Sequence, residues 1–172
     1  MVFSSHNIEH QPCLITHLQE LASLLRPGGQ VVLFVPDRRY CFDHFLPETT
    51  LLDILAAWVE PRGRRHQVRD VVKHWLFVAH NDAGRHWRGD HGDDPHRAMT
   101  TPAGGDHAQA LKDFHAQAPA YLDVHAWQFT PDSFRGLVAQ LNAMRLSPLT
   151  AARVYPTVTG SQEFYAVLTA PC

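Results

Sequence analysis

The feature that most constrains this 172-residue chain is the run Val31-Val32-Leu33-Phe34-Val35, bounded by Gly28-Gly29 before it and Pro36-Asp37 after it. Five consecutive apolar residues between chain breakers read as a strand, and the absence of polar alternation predicts that both its faces are covered. Just upstream, Leu14, Leu18, Leu21 and Leu25 recur at helical spacing, and Arg26-Pro27-Gly28-Gly29 ends that helix with a basic last turn followed by breakers. Earlier still, Met1-Val2-Phe3 opens into Ser4-Ser5-His6-Asn7, the end of another short buried strand running into a loop. Strand, helix and strand at this spacing make a βαβ unit with parallel strands, so the chain is expected to be α/β.

The C-terminal third is equally legible. Thr130-Pro131-Asp132 supplies an N-cap, a proline at the first helical position and an acidic first turn, and Phe134, Leu137, Val138 and Leu141 give the helix its buried face. Two strands, over 151–158 and 163–169, are joined across Thr159-Gly160-Ser161 and read as an antiparallel hairpin. Between the two regular ends, Thr50 with Asp53 caps an apolar helix running to Val59, and a Pro-Arg-Gly-Arg-Arg turn follows at 61–65. Val68, Val71, Val72, Trp75 and Ala79 mark a further amphipathic helix, and Leu111 with Phe114 another over Asp106–Ala118. The stretch 81–105 is rich in Gly, Asp, His and Arg without apolar periodicity, and is read as a long loop.

Composition narrows the function classes. A hydrophobic content of 45% with 19% charged residues describes one globular domain, and a formal charge of −2 gives no overall pull toward nucleic acid or an anionic membrane. Cys13, Cys41 and Cys172 form neither a disulfide framework nor a CxxC pair, so a reducing, cytoplasmic setting is expected. The N-terminus lacks a basic segment followed by an apolar one, and no apolar run approaches the roughly 20 residues that span a bilayer, so neither secretion nor a membrane span is predicted.

Three pieces stand in order: Ser4-Ser5-His6-Asn7-Ile8-Glu9-His10, a helix ending in Leu25-Arg26-Pro27-Gly28-Gly29, and a buried strand ending in Val35-Pro36-Asp37. That order resembles the class I S-adenosylmethionine-dependent methyltransferases of type 11, in which a Glu-His pair often follows the fourth strand and Leu-x-Pro-Gly-Gly precedes the fifth. The segment Pro36 to Phe45, with His125-Ala126-Trp127-Gln128-Phe129-Thr130-Pro131, is similar to bacterial members associated with glycan or cell-surface biosynthesis. The resemblance implies a partial Rossmann-like sheet carrying strands 4 to 7, built from residues 1–37 and 125–172, with 38–124 inserted as a mostly helical substrate cap. It also implies what these residues omit. The family's GxGxG turn and the acidic residue after its second strand have no counterpart here, and Gly28-Gly29 and Gly104-Gly105 stand in the wrong context. In a sheet ordered 3-2-1-4-5-7-6, absence of strands 1 to 3 leaves the fourth as a bare edge beside an exposed apolar patch. A partner chain, a dimer through that edge, or a lost upstream segment would each remedy this, and the lost segment is the expectation.

On this resemblance Ser4, Ser5 and His6 lie beside S-adenosylmethionine, and His6 or His10 is the nearest candidate base for a nucleophile that must lose a proton. His10 packing onto the following helix is the competing structural reading. Asp37, Arg38, Arg39 and Tyr40 follow the carboxyl end of a buried strand, where open α/β sheets bind ligands, and the two guanidinium groups suit a sugar phosphate. A plain solvated loop with Tyr40 packed is the alternative. His125 and Trp127 fall on one face of an extended segment, to line an acceptor pocket or simply to pack. Thirteen histidines are unusual; His80, His86, His91, His96 and His107 cluster near Asp90, Asp93 and Asp94, yet their spacing matches no tight ligand motif, so no metal ligands are assigned. The expected function is methyl transfer to a small or glycan-type acceptor. A non-catalytic interaction module on the same fold and a His-rich metal-binding protein are the competing classes.

Overall fold

The computed structural model describes residues 1–60, 65–98, 112, 115–116 and 121–172. Strand β1 (Val2–Ser5) leads through a 3₁₀ turn at Ile8–His10 into helix α1 (Leu14–Ser23), and the chain returns as β2 (Gln30–Pro36). The two strands pair in parallel, Val2 opposite Val31 through Ser5 opposite Phe34. The βαβ reading is therefore observed. Gly28, at φ +68°, makes the turn between α1 and β2, a conformation that side chains with a Cβ resist.

Helix α2 (Leu51–Val59) starts at Thr50, whose hydroxyl accepts from the Asp53 backbone while Asp53 reaches back to the Thr50 amide. Helix α3 (Val68–Leu76) follows; it stops three residues short of Ala79. The stretch expected to be one long loop instead contains two short helices, α4 (Ala83–Trp87) and α5 (Pro95–Ala98). Asp82 nucleates α4 by accepting from the Arg85 backbone, a local cap that apolar periodicity cannot register over five residues. The turn at 61–65, Gly104-Gly105 and His107 lie outside the described residues, except for Arg65, and so does the helix expected over 106–118, except at 112, 115 and 116.

Helix α6 (Pro131–Ala143) is capped by Thr130, and β3 (Thr150–Val154) and β4 (Glu163–Thr169) complete a sheet ordered β1-β2-β4-β3. Strand β4 lies antiparallel to both β2 and β3, with a register shift between Ala151 and Arg153. The hairpin is thus as expected, although β3 ends at Val154 rather than 158.

The core lies on one face of this mixed sheet. Val31, Leu33 and Val35 of β2 and Phe164, Ala166 and Leu168 of β4 meet Leu14, Ile15, Leu18 and Leu21 of α1 and Phe134, Leu137, Val138 and Leu141 of α6. Ile54 and Ala57 of α2 join the same core, so the segment between β2 and α6 is anchored in it. Val71, Leu122 and Val124 form a smaller separate cluster with Trp75 against it. The opposite face corrects the expectation that β2 is covered on both sides: Val32 and Phe34 stay half-exposed, beside half-exposed Tyr165 and Val167 and a Phe3 that is 59% exposed. Phe34 touches Phe3 and Tyr165 edge-on, at ring-centroid distances of 4.8 and 4.4 Å. A continuous apolar run is compatible with a strand buried on one face alone when aromatic neighbours partly shield the other.

Candidate functional site

Strand β1 ends at Ser5, and His6 turns the chain at φ +46°, a left-handed conformation uncommon for a non-glycine residue. Its amide still bonds to the Phe34 carbonyl, so the turn is pinned to β2. Ile8 is buried and anchors the 3₁₀ turn, which rotates Glu9 inward beyond the carboxyl ends of the parallel strands. From the other side the extended segment 124–130 runs alongside: the amides of Ala126 and Trp127 both donate to the Glu9 carbonyl.

The Glu9 side chain is 1% exposed, and neither carboxylate oxygen has a hydrogen-bond partner among the described residues. Three imidazoles face it instead. Oε1 lies 3.7 Å from His6 Nδ1, 3.6 Å from His10 Nε2 and 3.9 Å from His125 Nε2. Each ring presents its other nitrogen to a second carboxylate: His6 Nε2 to Glu163 at 2.5 Å, His10 Nδ1 to Asp123 at 2.8 Å, and His125 Nδ1 to Asp43 at 2.7 Å. A proton on the outer nitrogen of His6 and of His125, donated to Glu163 and Asp43, would leave the inner nitrogen of each ring free to accept on the Glu9 side.

Burial pushes the Glu9 carboxyl above its ordinary range, opposed by its own backbone amide and by His125 and His6. Burial also holds the His10 imidazole below its usual value, with His125 acting in the same direction and Asp123 against it. His74, whose ring meets that of His125, is lowered to about 4, chiefly by burial. Burial therefore works against the charged forms of Glu9, His10 and His74 in this centre.

Such a set suits two tasks. His10 Nε2, 3.6 Å from Glu9 Oε1, can accept a proton from a group placed between them. Alternatively, ligand atoms about 2.0–2.2 Å from a tetrahedral ion stand roughly 3.3–3.6 Å apart, close to the 3.6–3.9 Å separations around Glu9 Oε1. The ligand atoms of Glu9, His10 and His125 all lie within 4.8 Å of one another.

The remaining candidates divide between this centre and the clip after β2. Ser4 pairs with Leu33 on the core-facing side, and Ser5 is exposed at the strand end. Trp127 is buried, its indole N–H donating to the Gln11 carbonyl next to the 3₁₀ turn. Asp37 is fully buried: its carboxylate accepts from the backbone and guanidinium of Arg39 and from the Thr157 hydroxyl. Arg38 donates to the His44 carbonyl, and Tyr40 stacks flat on Trp87 at 3.9 Å, with the Arg39 guanidinium 5.1 Å from the centre of the Tyr40 ring. These four residues mainly fasten the turn after β2 to α4 and to the β3–β4 connection. The sequence reading attached no role to Glu9, Asp43, Asp123 or Glu163. Glu9 had a local signal in its Glu-His pair, whereas Glu163 meets His6 across 157 residues and has none.

In comparisons with family models, curated proteins and solved structures, the chain matches none of them.

Proposed function

We propose that this chain supplies the acceptor side of a class I-type S-adenosylmethionine-dependent methyltransferase domain, acting on a small or glycan-type hydroxyl, with His10 and Glu9 handling the acceptor's proton. The observation that carries the reading is the Glu9 centre, seated beyond the carboxyl ends of a parallel β1–β2 pair. The sheet order β1-β2-β4-β3, antiparallel only at β4, supports it as the order and direction that strands 4-5-7-6 take in that class.

The residues present fit the cofactor only in part. The sequence holds no GxGxG turn, and the His6 ring is engaged by Glu163, so Ser4, Ser5 and His6 offer at most one wall of a cofactor site. The adenosyl group would be held by an upstream segment or a second chain. What these residues can do is orient an acceptor oxygen beside His10 Nε2 and receive its proton there, with the Asp123 carboxylate 2.8 Å from the ring's other nitrogen.

Calorimetry with S-adenosylmethionine and S-adenosylhomocysteine tests this, on the chain alone and joined to a segment bearing a GxGxG turn. Cofactor binding by the joined protein, with methyl transfer falling about 10²-fold or more in His10→Asn at unchanged cofactor affinity, is the expected result. A joined protein that folds but binds neither ligand overturns it.

One observation favours a second reading, a divalent cation at the same centre: all three imidazoles that face Glu9 have their outer nitrogen beside a carboxylate, the arrangement that orients metal-bound histidines. Glu9, His10 and His125 would hold the ion, with His6 the nearest additional ligand, and the ion would supply a Lewis acid for an acceptor oxygen. One equivalent of zinc or manganese that disappears in Glu9→Gln and His125→Ala would support it; unchanged binding in both would dismiss it.

A further inference from the structure

The histidine-rich stretch forms a second cluster that the Glu9 centre does not use. His86 in α4 is 2% exposed, and its Nε2 donates to the His80 carbonyl at 2.9 Å. His44, in the turn after β2, donates from Nδ1 to the Arg39 carbonyl at 2.8 Å. A carbonyl can only accept, so the protons of both rings are fixed on those nitrogens. The lone pairs of His86 Nδ1 and His44 Nε2 are then left free, and the two rings stack with centroids 5.2 Å apart. His91 completes the group: its Nδ1 lies 2.9 Å from His86 Nδ1, and with no proton on the His86 nitrogen this contact requires His91 to be the donor. One potential ligand atom from each of the three rings lies within 4.8 Å of the other two.

We propose that His44, His86 and His91 form a transition-metal site for a borderline ion such as zinc or nickel, in which the ion replaces the proton shared between His86 and His91. Backbone carbonyls hold the outer nitrogens of His44 and His86, as expected for ligating histidines whose tautomer is set from outside. Access is provided by a cavity of about 760 Å³ lined by His91, Phe45, Gly89, Asp90 and Asp93, among others. His44 and His91 lie face to face at 3.6 Å, so ligation requires His91 to swing edge-on. It sits between Gly89 and Gly92, both at positive φ, in a loop whose base is held by the Arg85–Asp90 ion pair. His80 is not a ligand, because its Nδ1 accepts from Asp82 and its Nε2 donates to the Asp90 carbonyl. The ion would tie α4 to the turn after β2.

The test is zinc titration of tag-free protein against a competing chelator, on wild type, His91→Ala, His44→Ala and the double variant Glu9→Gln/His125→Ala. His91 and His44 are only partly buried, so their variants are expected to fold. Loss of one high-affinity equivalent, or affinity reduced at least 10-fold, in both single variants but not in the double variant is the expected result. Long-range ¹H–¹⁵N spectra of the imidazoles should show His86 Nδ1 and His91 Nδ1 shifting on zinc addition. Wild-type zinc affinity in His91→Ala and His44→Ala overturns the proposal, as does loss confined to Glu9→Gln/His125→Ala, which would locate the ion at the Glu9 centre instead.

Discussion

Glu9 is held against its own stability. A carboxyl group whose pKa is raised by folding becomes more costly to keep as pH climbs above its usual value of about 4.5, because the unfolded chain ionises first. Glu9→Gln is therefore predicted to stabilise the metal-free protein at pH 7 by about 1–2 kcal/mol, measured by urea unfolding with chelator present, while abolishing the methyl transfer proposed for the centre. A loss of stability would mean the carboxylate is a structural partner of the three histidines. The buried imidazoles act in the other direction on the pH axis. His74 titrates near 4 when folded and near 6.5 when unfolded, so between those values the unfolded chain binds more protons. Stability should fall as pH drops through that window, by up to about 3 kcal/mol from this residue, with His10 and His66 adding in the same sense. Unfolding free energies at pH 7 and pH 5 check this, and His74→Gln should flatten the difference.

At the scale of elements, local rules and tertiary packing contribute separately. Helix α6 begins at a threonine whose hydroxyl accepts from the Ser133 backbone and also donates to Glu48 across 82 residues. Thr130→Ala should thus cost more than an ordinary cap, roughly 1–2 kcal/mol against about 1 kcal/mol for Thr50→Ala at α2, where the bonds stay within the first turn. Equal losses in paired thermal or urea denaturation would remove any role for the Glu48 link. The strand β2 is the other determinant: Leu33 is 1% exposed at the centre of the sheet, and shortening it to alanine is expected to cost about 2–5 kcal/mol. The short helices α4 and α5 have no comparable apolar face. Helix α4 is held by Asp82, by the Trp87 indole on the Ser161 carbonyl and by the Tyr40 stack, and α5 by His96 against the Phe45 carbonyl and the Phe77 ring, contacts that periodicity does not encode.

For the whole molecule the decisive asymmetry is between the two faces of the sheet. One is packed by α1, α2 and α6; the other shows the Phe34 ring in edge-on contact with Phe3 and Tyr165, and half-exposed Val32 and Val167 on the same strands. Exposed apolar surface joined to a strand edge at β1 favours association. Sedimentation should show concentration-dependent self-association that Phe3→Lys reduces, with monomer stability changed by no more than about 0.5 kcal/mol, since Phe3 is already largely exposed. A strictly monomeric wild type at high concentration would argue against a sticky face. Among the described residues no helix is long and apolar enough to cross a membrane.

The sequence by itself determined the regular ends. Leucines at helical spacing before Gly28-Gly29 and Thr130-Pro131 ahead of Phe134 are local patterns that state their own element and buried side, whereas the apolar run of β2 states its element but not that one of its faces stays half-exposed. It also placed His10 and His125 among the residues to watch. Only the tertiary structure decided what surrounds them: Glu163, Asp43 and Asp123 reach the Glu9 centre from distant segments, and His44 joins His86 and His91 although 42 residues separate it from the nearer of them in sequence. A helix or strand is written in the period of neighbouring residues. A site is made where separate segments converge, and that convergence is fixed by packing of the core, which no local period records.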